Sequence, residues 1–303
     1  MNVTYSNSTF TSKDGFRLFS QQWLVDEPKA AVIIVHGMGE HSSRYAHVAK
    51  RFNEHGYSIY AYDHMGHGQS EGEPVYAEKF DIWSHDLGHF IKRVRMETGK
   101  LPVYLLGHSM GGTITTYLAV TEHPPLDGLI LSAPALVAGE SVSPLLMKVA
   151  GVLSWLAPKL PAQKLDSSTV SRDPKVVLAY NSDPLIYHGG IPARTGAEML
   201  RAFDVIRDGT PKITYPMLIM HSKADKLVDV QGSMQLNARA GSADKTLKLY
   251  DDLYHEILNE PEQDEVMAVM IDWLDERMAR GTVQKETHHQ KRAKKKVEKP
   301  DNQ

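Results

Sequence analysis

The stretch LLGHSMGG, residues 105–112, decides the fold of this chain. It joins an apolar run, VYLLG, to a segment with the composition of a helix, MGGTITTYLAVTE. A Gly-x-Ser-x-Gly pattern between a strand and a helix is typical of a tight turn that exposes a serine. Gly107 and Gly111 suit such a turn because the neighbouring backbone leaves no room for side chains. The stretch therefore predicts that Ser109 stands at the end of a strand as a nucleophile.

Short apolar runs rich in Val, Ile, Leu and Tyr alternate with helical stretches along the chain. The runs span residues 30–37, 58–63, 102–109, 126–134, 216–222 and 245–252. Such runs are typical of strands buried on both faces of a parallel sheet, and a hairpin is expected at its edge around residues 13–15. The last helix is predicted to end at Gly281. The alternation predicts a doubly wound α/β domain with a mostly parallel central sheet flanked by helices.

One segment, residues 135–213, interrupts this alternation with seven prolines and without a clear strand. We expect it to be an inserted cap with an apolar helix at 145–157, while residues 1–134 and 214–283 form the core. Residues 284–303 hold seven Lys or Arg against three acids. This basic tail has almost no large apolar side chains and is predicted to be disordered.

A serine hydroxyl needs a base, and the base needs a third group to orient it. Asp225 follows the apolar run PMLIM, and His255 follows the run KTLKLY. The loops after parallel strands meet at one edge of a sheet, so Ser109, Asp225 and His255 are predicted to be the catalytic residues. Asp229 is a weaker alternative for the acid. Other histidines also lie near predicted strand ends: His36, His41, His64, His67 and His108.

The oxyanion of the transition state needs hydrogen-bond donors. The usual sources are the backbone N–H after the nucleophile and an N–H from an earlier loop. These positions are Met110 and, in HGMGEH, Met38. We therefore predict that Met38 and Met110 form the oxyanion hole.

The sequence gives little support for disulfides, metal sites, phosphate-binding sites or nucleic-acid binding. The absence of cysteine excludes disulfides and thiolate metal sites. His85 and His89, four residues apart, could share a helix face as a metal pair, but no third ligand is evident and a solvated face is favoured. No phosphate-binding loop occurs, so no cofactor is predicted, and no nucleic-acid partner is expected. Because neither an export signal nor an apolar spanning segment is visible, the expected location is the cytoplasm, with peripheral membrane contact.

Six stretches together resemble the monoacylglycerol lipase family of α/β hydrolases. They are HGMGEHSSRY (36–45), AYDHMGHGQSEGE (61–73), LLGHSMGG (105–112), LILSAPAL (129–136), HSKADKLVD (221–229) and KTLKLYDDLYHEILNEP (245–261). The resemblance implies the α/β-hydrolase fold and hydrolysis of monoacylglycerols to fatty acid and glycerol. It also implies a cap over an acyl tunnel and transient membrane contact through that cap.

The same resemblance implies substrate contacts for two polar residues. In the family, the glutamate and arginine of the HGxGEHxxRY motif lie near the glycerol head group, and they correspond to Glu40 and Arg44. A local salt bridge that shapes the oxyanion loop is an equally open interpretation. Mammalian members carry a histidine three positions after the catalytic one, where this chain has Leu258, so head-group recognition is expected to differ.

The sequence thus predicts a serine hydrolase that forms an acyl-enzyme, with a monoacylglycerol or a similar lipid ester as substrate. A lysophospholipase or general carboxylesterase is the alternative within the enzymes. A non-catalytic protein of the same fold that binds lipid or another protein is the alternative outside them.

Overall fold

The computed structural model describes residues 2–138 and 151–297, with residues 281–297 described by their backbone alone. Eight strands form the main sheet: β1 (Val3–Thr11), β2 (Arg17–Val25), β3 (Ala30–Val35), β4 (Tyr57–Tyr62), β5 (Val103–His108), β6 (Gly128–Ser132), β9 (Met217–Ser222) and β10 (Lys245–Tyr250). Their order is β1-β2-β4-β3-β5-β6-β9-β10. All neighbours from β4 to β10 pair in parallel, while β1 and β2 form the antiparallel hairpin expected around residues 13–15.

The helices of the described residues are α1 (Ala46–Asn53), α2 (Asp81–Thr98), α3 (Met110–Thr121), α4 (151–156), α5 (Pro174–Ser182), α6 (Ala193–Gly209), α7 (Gln231–Arg239) and α8 (Gln263–Val297). Helices α1, α2, α3, α6, α7 and α8 pack against this sheet, and α4 and α5 lie in the segment between β6 and β9. No helix of the described residues is both long and apolar enough to cross a membrane. The predicted mostly parallel sheet between helices is confirmed.

The central strands are buried on both faces, and β3 shows how. Side chains alternate along a strand, so Ala31, Ile33 and Val35 pack with helices α2 and α3, whereas Val32 and Ile34 pack with α1 and α8. The expectation of burial on both faces was wrong for β10. This strand pairs only with β9, and its residues alternate between partly buried and exposed because it forms the sheet edge.

The C-terminal helix differs from the prediction. Helix α8 continues through Gly281 to Val297, so the predicted end at Gly281 was wrong. The disorder predicted for residues 284–303 stays a prediction. A glycine inside a helix costs only about 1 kcal/mol. The following residues include Gln, Lys, Glu, Arg and Ala, which are good helix formers. Residues 298–303 lie outside the described part.

The predicted insertion, residues 135–213, contains more regular structure than expected. It includes α4, α5, α6 and a short antiparallel pair, β7 (Pro161–Lys164) and β8 (Gly190–Pro192). Ala202 and Ile206 of α6 are buried in the same apolar cluster as α3. Of the apolar helix predicted at 145–157, residues 145–150 lie outside the described residues, and 151–156 are helical.

A buried carboxyl on α2 makes the stability of this fold depend on pH. Asp86 is 1% exposed, and its Oδ2 atom has no hydrogen-bond partner among the described residues. Burial and the nearby Asp14 raise the pKa of Asp86 to about 7. The folded state therefore binds a proton more tightly than the unfolded chain, so stability is lost as the pH rises towards and through 7.

We expect Asp86→Asn to increase the free energy of unfolding by roughly 3 kcal/mol at pH 8, because the neutral amide removes the cost of a buried charge. The gain should be smaller at pH 5, where the wild-type carboxyl is largely protonated in the folded state. Urea unfolding of both proteins at the two pH values measures the difference. Equal gains at both values would contradict the assigned titration.

Candidate active site

Ser109 occupies the turn between β5 and α3, in the left-handed backbone region with φ 53°. Three backbone hydrogen bonds hold it there: its N–H donates to Ser132, and its carbonyl accepts from Thr113 and Ala135. The turn requires glycine at position 111, where a Cβ atom would lie 1.9 Å from the Val35 carbonyl oxygen. This close approach explains why the motif has a glycine at position 111. The positive φ of Ser109 is a strained conformation of the kind that clusters at active sites.

Ser109, His255 and Asp225 form a continuous chain of hydrogen bonds. The Nε2 atom of His255 lies 2.9 Å from Ser109 Oγ, and its Nδ1 atom lies 2.7 Å from Asp225 Oδ2. The three residues follow β5, β10 and β9 and meet at the carboxyl ends of these strands. The structure therefore brings together the three residues that the sequence singled out as catalytic.

Asp225 is oriented by more than His255. Its Oδ1 atom accepts the backbone N–H groups of Leu227 and Val228 at 2.8 and 2.9 Å. Its Oδ2 atom also lies 3.1 Å from Nε2 of His221, a residue that the sequence analysis did not identify. His221 opens the HSKAD stretch, but nothing in that pattern distinguishes it from an ordinary buried histidine.

The charges at this site favour an imidazolium. Burial opposes ionisation of Asp225, but His255 and His221 outweigh it and hold the pKa of Asp225 well below its usual range. Burial likewise disfavours the charged form of His255, yet Asp225 raises the pKa of His255 above its ordinary value. The pair is therefore arranged to accept a proton from Ser109 and to stabilise the resulting positive charge.

The predicted oxyanion donors lie on either side of Ser109. Met110 is the first residue of α3, where backbone N–H groups have no acceptor within the helix and attract negative charge. The loop that carries Met38 approaches closely, since a Cβ atom on Gly37 would lie 3.2 Å from Ser109 Cβ. Met38 and Met110 both line the cavity that contains Ser109. Their role as an oxyanion hole stays a prediction.

Glu40 and Arg44 make extensive contacts within the protein. Glu40 lines the cavity, but its Oε1 atom accepts from Gly37 N–H at 2.6 Å and from the Tyr45 hydroxyl at 2.7 Å. Arg44 bonds Glu40 Oε2 at 2.6 Å and is not among the described residues that line the cavity. This geometry favours the local salt bridge that the sequence left open, and direct substrate contact stays a prediction.

Arg44 has a second partner that the sequence analysis missed. Its two terminal nitrogens each lie 2.7 Å from one oxygen of Glu256. Glu256 follows His255 directly and is 4% exposed. Its position beside the predicted base was the only available signal, because the partner lies 212 residues away in the sequence.

Among the described residues, the alternative acid and bases make no hydrogen bond to Ser109 or His255. Asp229 accepts from the N–H of Gln231 at the start of α7. The remaining rivals have other partners: His36, His64 and His67 pack against one another, His41 bonds Asp183, and His108 packs against the His255 ring.

The two histidines on α2 have separate neighbours. His85 lies 3.6 Å from Glu122, and His89 packs edge-on against Phe10. Within the described part of the chain, no group of three or more His, Asp or Glu side chains is placed to hold a metal ion.

The cavity above Ser109 is largely apolar. Most of its described lining comes from residues 135–213, including Val137, Leu153, Val170, Leu200 and Phe203. His255, Glu40 and Glu256 provide polar groups at the end that contains Ser109. An apolar cavity with a few convergent polar groups fits a ligand with a long apolar part and a reactive polar end.

Several known proteins are similar to this chain in sequence and in fold. The Hydrolase_4 family, described as serine aminopeptidase S33, matches residues 26–262. A monoacylglycerol lipase of Mycolicibacterium smegmatis is 38% identical over 89% of this chain and 97% of its own length. A monoglyceride lipase of Rattus norvegicus is 36% identical over 92% and 93% of the two chains. The crystal structure of Paleococcus ferrophilus monoacylglycerol lipase superposes with a TM-score of 0.74 at 27% identity, covering 91% and 100%.

Proposed function

The chain belongs to the monoacylglycerol lipase family of the α/β-hydrolase superfamily, and on this premise we propose that it hydrolyses monoacylglycerols to fatty acid and glycerol at Ser109. One observation carries the proposal: the hydrogen-bonded chain of Ser109, His255 and Asp225 opens onto a largely apolar cavity. The protein is a carboxylic ester hydrolase.

Acylation begins when the Nε2 atom of His255 takes the proton of Ser109 Oγ. The oxygen then bonds to the carbonyl carbon of the ester, and the carbonyl π electrons move onto its oxygen. The N–H groups of Met38 and Met110 stabilise this oxyanion. When the tetrahedral intermediate collapses, the bond to the glycerol oxygen breaks, and His255 donates its proton to that oxygen.

Deacylation repeats the sequence with water. His255 removes a proton from the water, whose oxygen attacks the acyl-enzyme carbonyl, and then returns a proton to Ser109 Oγ as the fatty acid leaves. Asp225 keeps the Nδ1 proton of His255 directed towards itself, so Nε2 remains available as the acceptor. Ser109 and His255 are thereby regenerated, and one water is consumed for each ester bond.

The cap is the second part of the proposal. We assign residues 135–213 to the cap, whose described apolar side chains provide most of the wall for the acyl chain. Its outer surface carries large exposed apolar side chains: Val152, Trp155, Leu156, Leu160 and Leu178. Such a patch fits contact with lipid, so we propose a cytoplasmic protein whose cap touches membranes transiently.

Charging this patch should weaken membrane contact. We expect Trp155→Lys/Leu156→Lys to reduce binding to phospholipid vesicles at least 5-fold, because about 1.5–3 kcal/mol per buried apolar side chain is lost. Hydrolysis of a water-soluble ester should stay unchanged, since neither residue lines the cavity. Vesicle co-sedimentation measures the binding.

Met96→Lys is the matched control, because Met96 is 79% exposed on α2, outside the cap. It should leave vesicle binding unchanged. Equal binding by the double variant and the wild type would contradict docking through the cap.

The substrate is tested by comparing fatty-acid release from 1- and 2-monoacylglycerols, lysophosphatidylcholine and p-nitrophenyl butyrate. Dominant turnover of monoacylglycerols supports the proposal. Preference for lysophosphatidylcholine would favour a lysophospholipase, and cleavage of the short ester alone would favour a general carboxylesterase. A protein that neither turns over an ester nor reacts with a fluorophosphonate probe would be a non-catalytic binder.

A further inference from the structure

A buried ladder of charges connects the loop of His255 with the loop of Met38. Arg44 contacts both oxygens of Glu256 at 2.7 Å and one oxygen of Glu40 at 2.6 Å. The other oxygen of Glu40 accepts the N–H of Gly37 at 2.6 Å. Gly37 directly precedes Met38, so the ladder runs from the residue after the base to the residue before an oxyanion donor.

The ladder is enclosed on several sides. Glu40 and Glu256 are each 4% exposed, and the Arg44 guanidinium lies over the ring of Tyr180 at 5.0 Å. The loop of His255 has a further anchor, because the N–H of Glu256 donates to the Val170 carbonyl at 2.8 Å. Both Tyr180 and Val170 belong to the predicted cap, so core and cap meet at this ladder.

Glu40 and Arg44 favour their charged forms in this ladder. Burial alone would raise the pKa of Glu40, but Arg44, His108 and hydrogen bonds from Tyr45 and Gly37 lower it to about 2. Burial alone would lower the pKa of Arg44, but the negative charges of Glu256 and Glu40 raise it well above its usual value. Glu256 and Glu40 also contribute to the raised pKa of His255, after Asp225.

We propose that Glu256 is a positioning residue for the hydrolysis: through Arg44 and Glu40 it holds the oxyanion loop in register with the loop of His255, and its negative charge favours the imidazolium. The inference rests on the proposed function of Ser109. The physical reason is geometric, since a displacement of about 1 Å at an active site can cost about 100-fold in rate. The two loops come from opposite ends of the chain, and bidentate pairing fixes orientation as well as distance.

The test compares Glu256→Gln, Glu256→Asp and the wild type by kcat and KM for p-nitrophenyl butyrate between pH 5 and 9. Glu256→Gln should lower kcat about 10- to 100-fold with a smaller change in KM. The acid limb of its kcat/KM profile should move to lower pH, because one negative charge near His255 is lost. Glu256→Asp keeps the charge but shortens the reach, so it should keep the acid limb of the wild type with a reduced kcat.

A double variant separates positioning from a general effect on packing. Arg44→Met leaves two buried carboxylates without their cation, which is strongly unfavourable. Arg44→Met/Glu256→Gln should therefore be at least as active as Arg44→Met. Glu262→Gln is the matched control, since Glu262 pairs with Arg172 in the same region of the chain but does not line the cavity; it should retain wild-type kcat and acid limb.

The possible results separate a failure of the positioning role of Glu256 from a failure of the proposed hydrolysis at Ser109. If Glu256→Gln and Glu256→Asp are both folded and match the wild type, the positioning role is overturned while the role of Ser109 stands. Losses that are additive in the double variant, with no movement of the acid limb, would also overturn it. A wild-type protein that is inactive and unlabelled by a fluorophosphonate probe would overturn the proposed function, and the positioning role with it.

Discussion

Replacing Ser109 by alanine is expected to lower kcat for monoacylglycerol hydrolysis by about 10⁴-fold or more, because the only atom lost is the attacking oxygen. The His255–Asp225 pair, the proposed oxyanion donors and the cavity would remain. Fatty-acid release and labelling by a fluorophosphonate probe both measure the loss. Substantial activity in the variant would contradict nucleophilic catalysis by this serine.

The backbone of Ser109 supplies a matched variant. Its φ of 53° is unfavourable for any residue with a Cβ atom. Ser109→Gly removes the same oxygen and also relieves this strain, so it should be equally inactive but more stable than Ser109→Ala by about 1 kcal/mol. Urea unfolding of the two variants measures this gain. Equal stability would mean that the turn stores no strain at this position.

Replacing Asp225 by asparagine should lower kcat by about 10³- to 10⁴-fold, and the hydrogen bonds explain why. The N–H groups of Leu227 and Val228 bond Oδ1 of Asp225, so the amide oxygen of asparagine should occupy that side. The amide nitrogen then faces Nδ1 of His255 and donates to it. His255 would carry its proton on Nε2 and could no longer accept one from Ser109.

Steady-state kinetics of Asp225→Asn and Asp229→Asn test this explanation. Asp229 is the alternative acid in the same loop, and it bonds the N–H of Gln231 at 2.8 Å. Asp229→Asn should keep near-wild-type kcat. If Asp229→Asn were the inactive variant, the acid of the mechanism would have to be reassigned.

Much of the fold could be predicted because local patterns encode it. Each of the six apolar runs became a strand of the main sheet, since short runs rich in β-branched and aromatic residues and bounded by turns favour the extended conformation of a sheet. Predictions failed where the free-energy difference between two conformations was small, or where the burial of an element depended on the strands beside it. Helix α8 passes Gly281 because one glycine cannot end a helix that good helix formers continue, and β10 is half exposed because it has one partner strand.

The sequence by itself determined which segments become strands of the main sheet and that Ser109, Asp225 and His255 lie together at one edge of it. This was possible because loops after parallel strands converge on one edge, whatever the details of packing. Only the tertiary structure decided which carboxylates Arg44 pairs with. Its two carboxylate partners lie four residues before it and 212 residues after it. The pairing exists because packing buries Glu40 and Glu256 beside Arg44, and a buried carboxylate requires a partner of opposite charge.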